Sequence, residues 1–424
     1  MKLVYFTHSL RSCWNHGNAH FLRGVLSELV ARGHEVVAVE PEGAWSVANL
    51  LADAGGKGVE AWRAHYPELD AHIVDPATDP APLTDGADVV IVHEWNEPAL
   101  VARLGALRRA GARFTLLFHD THHRAVSDPD AIRAFDLSGY DGVLAFGETL
   151  SEVYRRWGWG NRVWTWHEAA DTRRFTPPRD GEVAARRADG GGSPPAPRSG
   201  SAPDGARQGA VWIGNWGDGE RTAELEEFLL RPAREAGLPL DIYGVRYPDE
   251  ARALLAAHGA NYRGWLPNPQ APAVFARHLL TVHVPRRFYR ETLPGIPTIR
   301  VFEALACGIP LVSAPWDDCE RLFTPGQDFL VARDGAEMLG AMQRLRDEPG
   351  LAASLVEHGL STISARHSCA HRVDELMTVL ATLKPLPFRG GEEPRSGEGV
   401  GAVAPAFNPH PNPSPQGEGL RASA

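Results

Sequence analysis

A chain of 424 residues is too long for one small domain and has room for two of ordinary size with further sequence outside them. Hydrophobic residues at 43% and charged residues at 23% permit a sizeable core and exclude wholesale disorder. The formal charge of −10, from 43 Lys and Arg against 53 Asp and Glu, argues against a nonspecific grip on nucleic acid, so an anionic ligand needs a local cluster.

The run KLVYFTH at 2–8 predicts a short buried strand. Its apolar part is too brief for a signal-peptide core, and no run of about 18 apolar residues follows, so a cytoplasmic location without a membrane span is expected. Next, GNAHFLRGVLSELVARGHEVVAVEP predicts a helix, a turn at Arg32-Gly33-His34 and a second strand, completing a βαβ unit. ADVVIVHEWN (87–96), ARFTLLFHD (112–120) and DGVLAF (141–146) continue the alternation, which implies a parallel sheet covered on both faces. Residues 189–207 hold twelve Gly, Pro or Ser and no aliphatic larger than Ala, the composition of a flexible linker. GAVWIGNW, LPLDIYG, HLLTVHV and GIPLVSAP then repeat the alternation, with helices to about Leu383. The expected division is an N-terminal domain over 1–178, a linker over 179–208, a second domain over 209–384 and a Pro- and Gly-rich disordered tail over 385–424.

Cys13, Cys307, Cys319 and Cys369 form no C-x-x-C pair and are too few for a disulfide scaffold of this length, which fits a reducing compartment. Lysine occurs only at Lys2, Lys57 and Lys384, and Lys57 in AGGKG lacks the following Ser or Thr of a P-loop. The most informative stretch is RRFYRETLPGIPTIRVFEALACGIPLVSAPWDD at 286–318. Pro297 and Thr298 start a helix over 298–307, and Gly308 and Pro310 stop it. Glu303 has only Arg300 as a charged helical neighbour. Its carboxylate either lines a cleft and accepts sugar hydroxyls or forms an i,i+3 ion pair with Arg300, and sequence weighs the two equally. Arg286, Arg287, Arg290 and Arg300 against Glu291 give a local net of +3, and the Gly-Ile-Pro turn leads into a helix N-terminus. That combination suits a phosphate, the alternative being a solvated arginine loop.

PTIRVFEALACGIPLVSAPWDDCERLFTPGQDFLVA resembles the donor-binding region of GT-B glycosyltransferases, specifically the CgeB-like group related to glycosyltransferase family 4. VWIGNWGDGERTAEL, LDIYGVRYP and NYRGWLPNPQAPAVFA extend the similarity, as do ELVARGHEVVAVEP, LLFHDTHH and TWHEAADTRRFTP in the first half. The resemblance implies an α/β GT-B fold, two Rossmann-like doubly wound domains facing each other across a cleft that binds a nucleotide-sugar. It implies that Glu303 binds the donor ribose, that Gly295, Ile296, Pro297 and Thr298 approach the sugar and diphosphate, and that Gly214 and Asn215 form the turn after the second domain's first strand. Arg221 falls at a phosphate-facing position, Trp265 and Leu266 in the loop that receives the base, His119 near the donor sugar with Asp120 beside it, and Gly17-Asn18 at the opening of the first helix.

Two departures stand out. The paired glutamates E-x7-E are incomplete, with Gly295 eight residues before Glu303, and the usual phosphate lysine is missing, which leaves Arg221, Arg286 and Arg300 to supply charge. His119, Asp120, His122 and His123 do not form HExxH, and no metal is expected. Arg103, Arg108, Arg109 and Arg113 form either a solvated helix face or a weak peripheral contact with anionic lipid. The expected activity is metal-independent sugar transfer from a nucleotide diphosphate sugar to a glycan, lipid or protein acceptor, with no cofactor besides the donor. A sugar-nucleotide epimerase and a catalytically silent nucleotide-sugar-binding module are the alternatives.

Overall fold

The computed structural model describes residues 1–178, 207–217 and 219–383. The expected tail, and the expected linker apart from Arg207 and Gln208, lie outside the described residues. In the first half, β1 (Lys2–Phe6), β2 (Glu35–Pro41), β3 (Ala71–Val74), β4 (Val89–His93), β5 (Thr115–Asp120), β6 (Gly142–Ala145) and β7 (Val163–Thr165) form one sheet. Its order is β3-β2-β1-β4-β5-β6-β7, and all its pairs are parallel. The second sheet comprises β8 (Ala210–Ile213), β9 (Leu240–Tyr243), β10 (Asn261–Tyr262), β11 (Leu280–His283), β12 (Leu311–Ser313) and β13 (Leu330–Val331). It too is parallel throughout, in the order β10-β9-β8-β11-β12-β13.

Successive side chains on a strand point to opposite faces, so one strand feeds two cores. Leu3 and Tyr5 of β1 join Phe21, Ile91 and Leu117 on one face, while Val4 and Phe6 join Val90, Val92 and Phe118 on the other. This explains why the strands read as continuous apolar runs instead of alternating ones. In each sheet the strand order reverses beside the central strand, between β1 and β4 and between β8 and β11. The carboxyl ends at such reversals are where open α/β sheets bind ligands.

Four helices position the site: α1 (Asn18–Ala31), α2 (Ile299–Ala306), α3 (Pro349–Arg366) and α4 (Cys369–Leu383). Although α4 follows the second sheet in sequence, it covers the first. Its Cys369, Val373, Leu376 and Leu380 are buried with Phe21, Leu22 and Leu29 of α1, each large apolar side chain contributing about 1.5–3 kcal/mol. Close approach at this packing needs Gly24, because a Cβ there would lie 2.5 Å from Cys369 Sγ and 2.8 Å from Asp171 Cβ. The outgoing and returning chains run side by side: Ala170 N donates to His367 O at 3.0 Å, Cys369 N to Ala170 O at 2.9 Å, and Trp166 Nε1 to Arg372 O at 2.8 Å.

Candidate active site between the two sheets

Helix α2 begins after Pro297, with Thr298 in extended conformation at its N-cap. Of the two expectations for Glu303, the i,i+3 ion pair with Arg300 is present. Glu303 is buried at 1% exposure, and its carboxylate accepts from Arg300 Nη1 at 2.5 Å, from His20 Nδ1 at 3.0 Å across the cleft, and from Asn268 Nδ2 at 3.2 Å. Burial alone would raise its pKa, but the Arg300 and His20 charges and hydrogen bonds hold it below the ordinary value. For His20, burial opposes protonation, while the Glu303 charge and a hydrogen bond with the Cys13 side chain raise its pKa.

The turn before α2 explains the incomplete glutamate pair. Gly295 has φ +88°, and a Cβ there would lie 2.5 Å from Cys319 Sγ, so a glutamate would meet both backbone strain and a clash. Ile296 is buried with Leu293 in the first sheet's core, beside Val4 and Phe6. Thr149 Oγ1 donates to Pro294 O at 3.0 Å, and Glu320 accepts from the Glu148 backbone N–H at 2.9 Å and lies 2.9 Å from His167 Nε2. Burial pushes the Glu168 carboxylate of the first half up to about 8, against the lowering effects of the His20 charge and the Ile299 backbone N–H.

The three arginines expected at the phosphates all have protein partners. Arg221 donates from Nη1 to Val284 O at 2.6 Å and from Nη2 to Asn215 O at 2.9 Å, tying together the chain after β8 and after β11. Burial lowers its pKa to about 10, with Arg286 adding repulsion. Arg286 Nε bonds Glu220 at 2.7 Å, and Arg300 bonds Glu303. Gly214 and Asn215 follow β8 as expected; Asn215 Oδ1 accepts from Val245 N at 2.9 Å, and its Nδ2 reaches Asn15 of the first half at 2.5 Å.

Across the cleft, Gly17 caps α1 and Asn18 opens it, with Asn18 Nδ2 2.9 Å from His93 Nε2. His119 and Asp120 end β5 with no exposure. His119 Nδ1 lies 2.5 Å from Tyr5 Oη, and burial lowers its pKa to about 3. Asp120 accepts from Tyr154 Oη at 2.7 Å and from His122 N at 3.0 Å, and burial raises its pKa. Both therefore sit beneath the cleft surface. Beside them Glu94, also fully buried and ion-paired with Arg124, is pushed upward by burial. No group of three or more His, Cys, Asp or Glu among the described residues is arranged to hold a metal ion.

A cavity of about 980 Å³ opens where the halves meet, lined by Trp216, Tyr247, Tyr262 and Trp265 from the second and by Trp14 and Asp53 from the first. Tyr247 and Tyr262 have ring centroids 4.7 Å apart, and their hydroxyls are fixed on Gly214 O at 2.8 Å and Gly244 O at 2.9 Å. Of the two residues expected at the base, Trp265 lines this cavity, while Leu266 packs against the core beneath. Sequence reasoning missed His20, Glu168, Asn268 and the tyrosines. Glu168 stands in TWHEAADTRRFTP and the tyrosines in LDIYGVRYP and NYRGW, within stretches already singled out, but only the fold brings them to one place.

Of the arginines weighed as a lipid face, Arg103 donates to carbonyls of Pro76, Ala77 and Thr78, Arg108 pairs with Asp141 at 3.0 Å, and Arg109 with Asp136 at 3.6 Å. No helix among the described residues is long and apolar enough to cross a membrane.

Comparison with known proteins agrees with this geometry. Residues 221–378 match the family model described as glycosyl transferase-like. None of the curated proteins matches the chain. Among solved structures, the chain is similar to sucrose-phosphate synthase from Thermosynechococcus elongatus, with 14% identity, TM-score 0.58, and 90% of this chain and 99% of that one covered. It is similar to Anabaena HepE in complex with UDP-glucose, with 12% identity, TM-score 0.61, and 90% and 100% covered. A glycosyltransferase from Rickettsia africae aligns at 10% identity and TM-score 0.60, over 90% and 98%. Two parallel sheets facing a common cleft, with a glycosyl transferase-like domain across the second, mark the chain as an enzyme of the glycosyltransferase type with the GT-B fold.

Proposed function

We propose that the protein transfers a sugar from a nucleotide diphosphate sugar to a glycan, lipid or protein acceptor in the cytoplasm, without a metal. The observation that carries this reading is the aromatic cavity at the strand ends of the second sheet, which offers a base the side chains of Trp265 and Tyr262. UDP-glucose in the Anabaena relative, which shares the fold, supports the same class of donor. In this reading the second domain, 209–384, holds the donor and the first, 1–178, faces the acceptor.

Charge developing on the leaving diphosphate would fall to the amides of the 295–298 turn and α2, with Arg221, Arg286 and Arg300 supplying positive field. His119, held neutral by burial, and Asp120, whose pKa burial raises to about 6, would act through polarity and shape. CgeB-like kinship remains the finer family proposal. Calorimetric titration with UDP and UDP-glucose, followed by product analysis with candidate acceptors, tests the function. Binding followed by transfer is expected; an epimerised donor, or binding without turnover, would replace it by one of the alternatives, and no binding of any nucleoside diphosphate would overturn it.

A further inference from the structure

The chain leaving β1, β2, β4 and β5, which are neighbours in the first sheet, brings six rings to that sheet's carboxyl edge. His8, Trp14 and His16 follow β1, Trp45 follows β2, Trp95 follows β4 and His122 follows β5. The three indoles form a row. Ring centroids are 6.4 Å apart from Trp14 to Trp45 and 6.4 Å from Trp45 to Trp95, edge to face each time, and His122 stands 5.3 Å beyond Trp95. All four rings are half-buried. The Arg124 guanidinium covers one face of Trp95, 4.1 Å from its centroid, and the His8 ring covers one face of Trp45 at 4.8 Å. What these two indoles expose is therefore the opposite face or the edge. Trp14 also lines the cavity that offers a base its aromatic side chains, so the row continues out of that cavity along the edge where open α/β sheets bind ligands.

Imidazoles with spare hydrogen-bonding capacity accompany the row. His8 and His16 are each 5% exposed and lie 4.8 and 6.5 Å from the Trp45 ring. Their Nε2 atoms are buried without a hydrogen-bond partner, as is Nδ1 of His122 beside Trp95. A buried polar atom left unpaired costs free energy that a ligand hydroxyl recovers. Burial holds His8 and His16 neutral, the His8 pKa falling to about 4, so each ring has one donor and one acceptor nitrogen. Arg124, the cation against Trp95, is already ion-paired with Glu94. Such a surface suits an uncharged polyhydroxyl ring: C–H groups on a pyranose face meet the electron-rich face of an indole, and hydroxyls around its rim meet the imidazoles. An aliphatic chain would leave the imidazole nitrogens unpaired, and an acidic headgroup would meet a cation already matched.

We propose that this row is a binding site for an uncharged saccharide chain, the acceptor of the transfer, with Trp45 and Trp95 as stacking platforms and His8, His16 and His122 as partners of its hydroxyls. That the saccharide is the acceptor rests on the function proposed above, because the row meets the base cavity at Trp14; that a saccharide binds does not rest on it. Since the row offers successive rings 5.3 to 6.4 Å apart, a chain of sugars engages more of it than one sugar does.

The test places the full chain on an array of immobilised neutral glycans, followed by calorimetric titration with the best-retained glycan, with its constituent monosaccharide and, separately, with UDP. A glycan should be retained and should bind several-fold more tightly than the monosaccharide. Trp45→Ala and Trp95→Ala should each weaken it about tenfold or more, as truncation of an aromatic anchor does. Trp45→Phe, which keeps a ring face, should recover much of that loss, and UDP affinity should be unchanged in all three variants, showing that they are folded. If Trp95→Ala unfolds on losing its contact with Arg124, the two Trp45 variants decide. Retention of no neutral glycan while UDP binds would overturn the proposal and leave the donor reading standing; glycan binding without UDP binding would support the saccharide site and sink the donor reading. Glycan affinity equal in the wild type and Trp45→Ala, or Trp45-dependent binding of phosphatidylglycerol vesicles or of quercetin in place of a glycan, would also overturn it.

Discussion

On the first sheet, β4 and β5 lead to His93, Glu94, His119 and Asp120, none of them exposed; on the second, β8, β11 and α2 lead to Arg221, Arg286, Arg300 and Glu303. Burial dominates on the first side: it lowers the pKa values of His93 and His119 and raises those of Glu94 and Asp120, moving all four toward their neutral forms. Glu303 is just as buried but stays ionised, because Arg300 and His20 compensate it. The lesson is that a common architecture sets where the walls lie, while the partners of each buried group decide which wall carries charge. A charged donor fits the second wall, and the uncharged hydroxyls of a sugar fit the first.

Glu303→Gln attacks this contrast most directly. An amide leaves Arg300 and His20 without their carboxylate, and breaking a buried pair costs about 3 kcal/mol or more. Denaturant unfolding should show that loss with or without nucleotide, and an unchanged midpoint would mean that the second wall does not depend on compensated charge. Gly295→Ala should cost roughly 2–3 kcal/mol, part from the left-handed backbone and part from the contact with Cys319. Pairing it with Cys319→Ala should recover the steric part alone. Full recovery would show that the backbone term is absent.

Glu168→Gln sharpens the comparison through pH. The folded pKa of about 8 lies above the unfolded value near 4.5, so the protonated carboxyl stabilises the fold fully below about pH 4.5, and this contribution is lost as pH rises through about 8. The glutamine variant should therefore be more stable than the wild type at pH 8, on the order of 2 kcal/mol, and nearly equal to it at pH 4. Thermal unfolding at the two pH values checks this, and a gain that is largest at low pH would contradict it. The smallest effect is expected from Trp265→Ala, which should weaken UDP by about 1–2 kcal/mol, the scale of base stacking, while stability changes little. Equal affinity by calorimetry would move the base out of this cavity.

Much of the fold was legible because buried parallel strands announce themselves as apolar runs, as in VVIVH and LLFHD. Helix α2 was legible from Pro297, Thr298 and Gly308. What single residues touch was not. Nothing in the spacing between His20 and Glu303, 283 residues apart, says that they meet, and local pattern could not reveal that the expected phosphate arginines are held by Val284, Asn215, Glu220 and Glu303. Nor does the amphipathic pattern of 369–383 say which sheet the helix covers.

That last helix has a consequence for how the protein is made. Because α4 seals a core whose other members, Ile299 apart, lie between Leu3 and Ala169, that core cannot be completed until about residue 383 has left the ribosome. The apolar faces of Phe21, Leu22 and Leu29 wait through synthesis of the whole second sheet, and closing them requires a contact of very long sequence separation, which is slow to form. Folding order is therefore inverted relative to chain order: the second sheet is complete in sequence before the first can be closed.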